Sequence, residues 1–426
     1  MPPMTSRLHL APLVISLASL SSLSFAQDDV SPQAVVEHYA DIAHANYQDA
    51  LVTAKELDQA TDAFIDDPNA ETLKAAKQAW LASRVPYQQT EVFRFGNPVV
   101  DDWEGQVNAW PLDEGMIDYV EGDDYQHELG NQGAKANIIA SSEINVGGQT
   151  VDVSDLTPEL LADLNEIGGS EANVATGYHA VEFLLWGQDL HGFEAGSGER
   201  PPSDYQTGDD CTGGNCERRA AYLDAATDLL VEDLEWMTQQ WAPNQDDNYR
   251  AELLALDPQE SLKRMLFGMG SLSLGELAGE RMKVALEANS FEDEHSCFSD
   301  NTHNDHYYNG MGIRNVYTGS YERVDGETLE GPALADLVTS QNPELDNTLR
   351  QQLEDSMAAL DTLKQTAEAG QDPMTFDMMI APGNSEGSEM INGAILALME
   401  QTGSIEQAAG KLGIESLEPD TAGHAF

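Results

Sequence analysis

Residues 172–188 read ANVATGYHAVEFLLWGQ, and their reading decides the fold. At 100° per residue, Val174, Tyr178, Val181 and Leu185 share one stripe, while Ala180, Phe183 and Leu184 cover much of the remainder. A helix apolar on nearly every side is a buried helix, so the stretch predicts the interior of a helical protein. It holds one histidine and one acid, His179 and Glu182, in a chain with 75 Asp and Glu against 20 Lys and Arg. Three positions apart on a helix, the two side chains leave on neighbouring parts of one flank, beside Trp186, and can reach a common point. Ser170 is expected to cap this helix, with Glu171 near its positive end.

Outward from this stretch the pattern stays helical. Residues 33–65 and 70–95 carry Ala, Leu, Val and Gln at helical spacing around the break Asp67-Pro68-Asn69, which predicts an antiparallel pair. From Gly96 to about Leu156 the texture turns to Gly, Asn, Pro and Asp, and a long ordered loop region with short helices is expected. Helical patterning resumes at 217–241 and 258–290, breaks in HSCFSDNTHNDHYYNG at 295–310, and returns at 344–369 and 386–402. Strand signals are limited to short pieces such as Thr150 to Val153. The fold class predicted is all-α, two helical-bundle halves packed together. The Gly-, Ser- and Pro-rich segment 191–215 separates an N-terminal half, 27–210, from a C-terminal half, 211–426.

With 426 residues, the chain exceeds the size at which one core keeps growing, which also favours two halves. A net charge of −55 repels nucleic acid and attracts cations over a Debye length, ~8 Å at physiological salt. Such acidity reads either as adaptation to a saline medium or as a means of gathering cations, and a nucleic-acid partner is not expected. At the N-terminus, Arg7 precedes an apolar run from Leu10 to Leu23, and Ser24-Phe25-Ala26 offers small residues for a signal peptidase. Residues 1–26 are therefore expected to be a cleavable signal peptide that sends the protein to the periplasm or outside the cell. No Cys follows the apolar run to carry a lipid, and no later stretch approaches the ~20 apolar residues of a membrane span. Cys211 and Cys216 bracket Thr-Gly-Gly-Asn, a turn that lets two sulfurs meet, so an exported chain predicts a disulfide there. A zinc site is the alternative, although C-x4-C has no second Cys or His pair nearby. Cys297 is left over, as a competitor for either partner or as a buried thiol.

A carboxylate buried without a partner costs several kcal/mol, so Glu182 must meet a cation, a metal or hydrogen-bond donors, or hold a proton. One reading is a His–Glu hydrogen bond that satisfies two core groups. The other is a metal site, since neutral imidazole and carboxylate suit Fe, Mn or Zn once further ligands arrive. Candidate donors are Glu91 and Asp113, and, near residue 300, His295, Asp300, His303, Asp305 and His306. His295 and Asp300 are candidate contributors; His303 and His306 read equally as exposed capping and turn residues of a polar loop. Arg84 and Glu91 lie seven apart on one helical face, with Arg94 one turn on, either as a surface ion-pair face or with Arg84 balancing a buried acidic pocket. Pro86 is expected to kink that helix.

Zinc peptidase motifs are incomplete. HAVEF at 179–183 puts Phe183 where H-x-x-E-H needs its second histidine, and HELGN at 127–131 ends in Asn131 where H-E-x-x-H needs one. The simplest basis for an activated zinc-bound water is therefore missing.

The G-x-H-x-x-E pattern of Gly177, His179 and Glu182, with RVPYQQTEVFRFGNP at 84–98, WPLDEG at 110–115 and HSCFSDNTH at 295–303, resembles the imelysin or iron-regulated protein A family over essentially the whole mature chain. The resemblance implies an exported, all-helical protein with the motif helix lining a pocket where two bundle-like halves meet. It implies a link to iron uptake, and some members carry an insulin-cleaving peptidase label. By matching position it makes His179 and Glu182 metal ligands, with Arg84, Glu91, Asp113 and His295 as pocket neighbours. The leading expectation is a protein that binds iron, or an iron-bearing small ligand, through a His/Glu pocket for acquisition, with outer-membrane or periplasmic uptake partners. The alternatives are a metallopeptidase using the same pair, with zinc as the alternative ion, and a non-catalytic interaction module whose polar pair is structural.

Overall fold

The computed structural model describes residues 30–421, apart from 123, 124 and 126, together with residue 423. The expected signal peptide, 1–26, lies outside the described residues. The architecture is all-helical with two short hairpins, β1 (Glu143–Val146) with β2 (Gln149–Asp152) and β3 (Ser320–Glu322) with β4 (Thr328–Glu330). Both are antiparallel, in registers that set Glu143 opposite Asp152 and Ser320 opposite Glu330. Among the described residues no helix is long and apolar enough to cross a membrane.

Helix α1 (Pro32–Asp66) starts where Ser31 caps it, its hydroxyl accepting from the Ala34 amide at 3.2 Å. Buried residues at Tyr39, Ala43, Tyr47, Ala50, Ala54, Leu57, Thr61 and Phe64 step by threes and fours along one face. That face packs on α2 (Ala70–Thr90), which opens with a reciprocal Asn69–Thr72 capping box. Helix α2 runs on through Pro86, whose carbonyl accepts from Asn46 at 2.8 Å, and passes into a 3₁₀ turn at Glu91–Phe93. Short helices α3 (Pro98–Val107), α4 (Glu114–Ile117) and α5 (Pro158–Leu164) punctuate the expected loop region.

Helix α6 (Gly177–Trp186) begins later than the sequence suggests, with Thr176 and not Ser170 at the cap position. Ser170 instead donates to the Glu128 carboxylate. The later start has a steric cause. Gly177 sits at φ +77°, and a Cβ there would lie 2.2 Å from the carbonyl oxygen of Val107, so only glycine lets α6 start against the end of α3. Neighbouring elements bolt the helix in place. Trp80 Nε1 donates to Tyr178 O at 2.9 Å, Tyr222 Oη to Ala175 O at 2.8 Å and Tyr205 Oη to Leu184 O at 2.6 Å.

The chain continues through α7 (Cys216–Gln240), which packs on α1, then α8 (Tyr249–Ala255) and α9 (Pro258–Ser271). Helix α9 widens without a break into a π-helical stretch, Leu272–Val284, and ends in α10 (Ala285–Ala288). The polar break expected at 295–310 is shorter than read. Helix α11 (Thr302–Thr318) already includes His303, Asp305 and His306, and all three are buried. Then come α12 (Leu334–Gln341), α13 (Pro343–Ala367), α14 (Phe376–Met379) and α15 (Ser385–Lys411). One large apolar core runs from Val35 to Leu417, and a second, around Leu277, Leu360 and Leu398, joins the π stretch to α13 and α15.

Candidate metal centre

Every residue of α6 is buried, with His179 at 2% exposure and Glu182 at 0%. His179 Nδ1 lies 2.9 Å from Glu182 Oε2. The other carboxyl oxygen, Oε1, accepts from the Ser299 amide at 2.9 Å and the Ser299 hydroxyl at 2.6 Å. Burial holds the imidazole well below its ordinary value and pushes the carboxyl up to about 8 against the pull of Ser299. Both groups are thus driven toward their uncharged forms, and the short contact is not a full ion pair. His179 Nε2 is buried and makes no hydrogen bond among the described residues.

The His295 ring meets that of His179 edge to face at 4.7 Å between centroids, and Trp110 meets His295 in turn at 5.1 Å. His295 Nδ1 lies 2.9 Å from Asp305 Oδ2 and 3.4 Å from Arg84 Nη2, and Nε2 lies 3.4 Å from Asn108 Nδ2. Burial, with Arg281 and Arg84 adding to it, keeps His295 well below its ordinary value. The structure therefore presents two neutral imidazoles, the state in which imidazole ligates metals. Arg84 closes the inner side. Its Nε donates to Asp305 Oδ1 at 3.3 Å, its Nη1 to Asn108 Oδ1 at 2.6 Å, and its guanidinium lies 4.8 Å from the Tyr178 ring centroid.

Glu91 stands in a neighbouring cluster and makes no direct contact with His179. Arg281 Nη2 donates to Glu91 Oε2 at 2.7 Å and Nε donates to Glu276 Oε1 at 2.9 Å. Asn108 joins the two clusters, since its Nδ2 also donates to Glu104 Oε1 at 3.3 Å, and Glu104 pairs with Arg94. Arg84 and Glu91, read as one face, thus serve different networks, because α2 has ended before Glu91. Asp113 lies apart as well, accepting from the Glu128 amide at 2.9 Å and from Asn131. Trp186 packs on Trp80, with ring centroids 5.3 Å apart. His303 meets Asn304, and His306 sets its ring edge-to-face with Phe376, so neither is an exposed turn residue. Cys211 and Cys216 are disulfide-bonded, and Cys297 is a free thiol.

A cleft of about 550 Å³ opens beside the centre, lined by Asp101, Asp102, Glu104, Glu171, Glu276 and Asp293 with Arg94 among them. Its wall includes Asn108 and Trp110, two of the residues that touch His295. A second cavity of about 380 Å³ shares Trp110 and Pro111 and holds Asp113 and His127. Residues central here but not singled out from sequence are Asn108, Ser299 and Arg281, and Asp305 matters more than its polar setting suggests. The one available signal was Arg281, a lone guanidinium in LSLGELAGERMKV.

Fold and site together define a class: an all-helical protein built round a buried imidazole–carboxyl pair with an unpartnered ring nitrogen. The sequence profile of the imelysin family, peptidase family M75, matches residues 43–405, and the chain belongs to that family. It is 24% identical over 330 residues, 76% of this chain and 73% of the relative, to iron-regulated protein A of Synechococcus elongatus. Among solved structures, it resembles one described as an iron-regulated protein A precursor from Parabacteroides distasonis, with TM-score 0.64, 19% identity and coverage of 89% of this chain and 94% of that one. An imelysin-like protein from Psychrobacter arcticum is similar with TM-score 0.55 and 14% identity, over 93% of this chain and 99% of that one.

Proposed function

We propose that this chain is an exported protein that binds iron, or an iron-bearing small ligand, at the His179–Glu182 pair and serves its acquisition by binding, not turnover. The observation that carries the reading is the unpartnered Nε2 of His179, a buried ligand atom whose ring is fixed from the other side. Glu182 fits the part of the carboxylate that orients a metal-bound imidazole and sharpens its basicity. With Nδ1–H turned to that carboxylate, Nε2 would offer its lone pair to the ion, and Glu182 would hold the ring in this tautomer once its own proton is lost. An acidic cleft beside the centre favours approach of a cation, and the name of the Synechococcus relative agrees with a connection to iron.

Periplasmic or outer-membrane uptake proteins would be the partners. A metallopeptidase on the same pair, with zinc as its ion, is the second reading. It is favoured by one observation, a carboxyl pushed up to about 8 beside a neutral imidazole, which suits proton transfer.

Metal analysis of the purified native protein, followed by calorimetric titration with iron, tests the proposal. Glu182→Gln should weaken binding by about 10- to 100-fold and His179→Ala should remove it. Unchanged iron affinity in Glu182→Gln would count against the site, and iron- or zinc-dependent peptide cleavage abolished by the same substitution would favour the enzyme.

A further inference from the structure

Three carboxylates away from His179 have nothing to balance them. Glu294 is 2% exposed and Asp377 1% exposed, and neither oxygen of either group makes a hydrogen bond. Asp300, half-buried, leaves Oδ1 unpartnered as well. One oxygen from each of the three lies within 4.8 Å of the others. The neighbourhood adds negative charge: Asp377, Asp300 and Asp189 all act on Glu294, and Asp189 acts also on Asp300 and Asp377. Thr302 approaches Glu294, and the Thr375 hydroxyl and Met378 amide approach Asp377, but none of them makes a directed hydrogen bond to these oxygens. His191, turned toward Asp189, and the Gly196 amide ease the charge on Asp300.

Carboxylates collected in the interior without a counter-charge are strongly unfavourable, and a multivalent cation is the simplest neutraliser. The donor set is all oxygen, which selects a hard ion over zinc or copper. The spacing lets a single such ion touch all three, since its oxygen ligands stand at about 2.0–2.6 Å. We propose that Glu294, Asp300 and Asp377 form a separate binding site for a hard divalent cation, with calcium as its probe, which staples the 294–300 segment to α14. The segment so held carries Ser299, the donor to Glu182, so the staple also sets the floor of the His179 centre. The site does not depend on iron binding there.

Calcium titration calorimetry and thermal melts on the chelator-treated full chain test this, in high salt so that diffuse attraction to the acidic surface is screened. The expected result is one saturable calcium ion per chain and a calcium-dependent rise in melting temperature. Asp377→Asn should weaken calcium binding at least about tenfold, since it removes one of three anionic ligands, and should abolish the melting rise. Because it removes an unbalanced buried charge, this variant should melt no lower than the parent in chelator. Asp300→Asn, at a half-buried position, provides a second variant with the same expected loss. His179→Ala should keep the full calcium response. The proposal is overturned if calcium does not saturate a single site, if Asp377→Asn and Asp300→Asn respond like the parent, or if the response disappears with His179→Ala.

Discussion

Two buried charge networks in this molecule look alike on paper and differ in what they leave over. Beside the Cys211–Cys216 turn, Asp118 accepts from Arg219 Nε at 2.6 Å, Arg219 Nη2 at 3.0 Å and Arg200 Nη1 at 2.8 Å. Asp204 there accepts from Tyr119, Thr212 and Arg200, so all four oxygens of the two carboxylates are used and the atom left over is a donor, Arg200 Nε. Around His179, by contrast, an imidazole nitrogen is stranded, and a few residues along the chain Glu294 accepts nothing. A network whose carboxylates are all satisfied holds the fold together; stranded acceptors at comparable burial point to something that arrives from outside.

The largest effect should come from opening the closed network. Arg219→Ala deprives Asp118 of two donors in the interior and should cost about 3–5 kcal/mol in denaturant unfolding. A loss below about 1 kcal/mol would mean that the closed network is not structural and would dissolve the contrast.

The open side should show itself through pH. Burial pushes Glu104 up to about 7, with Arg94 pulling the other way. Since the folded value lies above the ordinary one near 4.5, the folded state holds this proton more tightly than the unfolded chain. Its stabilisation is complete below about pH 4.5 and declines as pH rises to about 7. Glu104→Gln cannot titrate, so the stability of the parent relative to this variant should fall by as much as about 3 kcal/mol across that interval. Parallel pH profiles for the two proteins would mean that the fold does not tighten the hold of Glu104 on its proton.

The smallest effect belongs to the disulfide flanking the closed network. With a sequence separation of five, replacing Cys211 and Cys216 by Ser should cost about 2 kcal/mol. Because Arg219 Nη1 also donates to Gly214 O inside that turn, at 3.0 Å, the cost should shrink in the Arg219→Ala background. Strict additivity would show that the turn and the ion network act independently.

Much of this was legible in the sequence, and the exceptions have physical causes. The long amphipathic helices declared themselves by spacing, and α6 by an apolar circumference broken only at His179 and Glu182. Helix α11 was partly hidden, because THNDHYYNG has the composition of a turn, and only tertiary burial of Asp305 and His306 makes it a helix. The start of α6 was misplaced by six residues, since the deciding event is a clash with Val107 that lies 70 positions away. Asn108 and Ser299 were illegible for a similar reason. An amide and a hydroxyl in polar loops carry no signal until the fold sets them against His295 and Glu182.

The widened coil of Leu272–Val284 has a consequence for relatives of this chain. Around an ordinary α-helix, residues five apart point about 140° away from each other, yet Glu276 and Arg281 are joined here. A coil with i→i+5 bonding brings such positions onto one side, which lets Arg281 grip Glu276 with one edge and Glu91 with another. The lock is thus encoded in helical pitch as much as in side-chain identity. A homologue that keeps the five-residue spacing but winds at the ordinary pitch would point its guanidinium about 140° away from Glu276 and lose the grip.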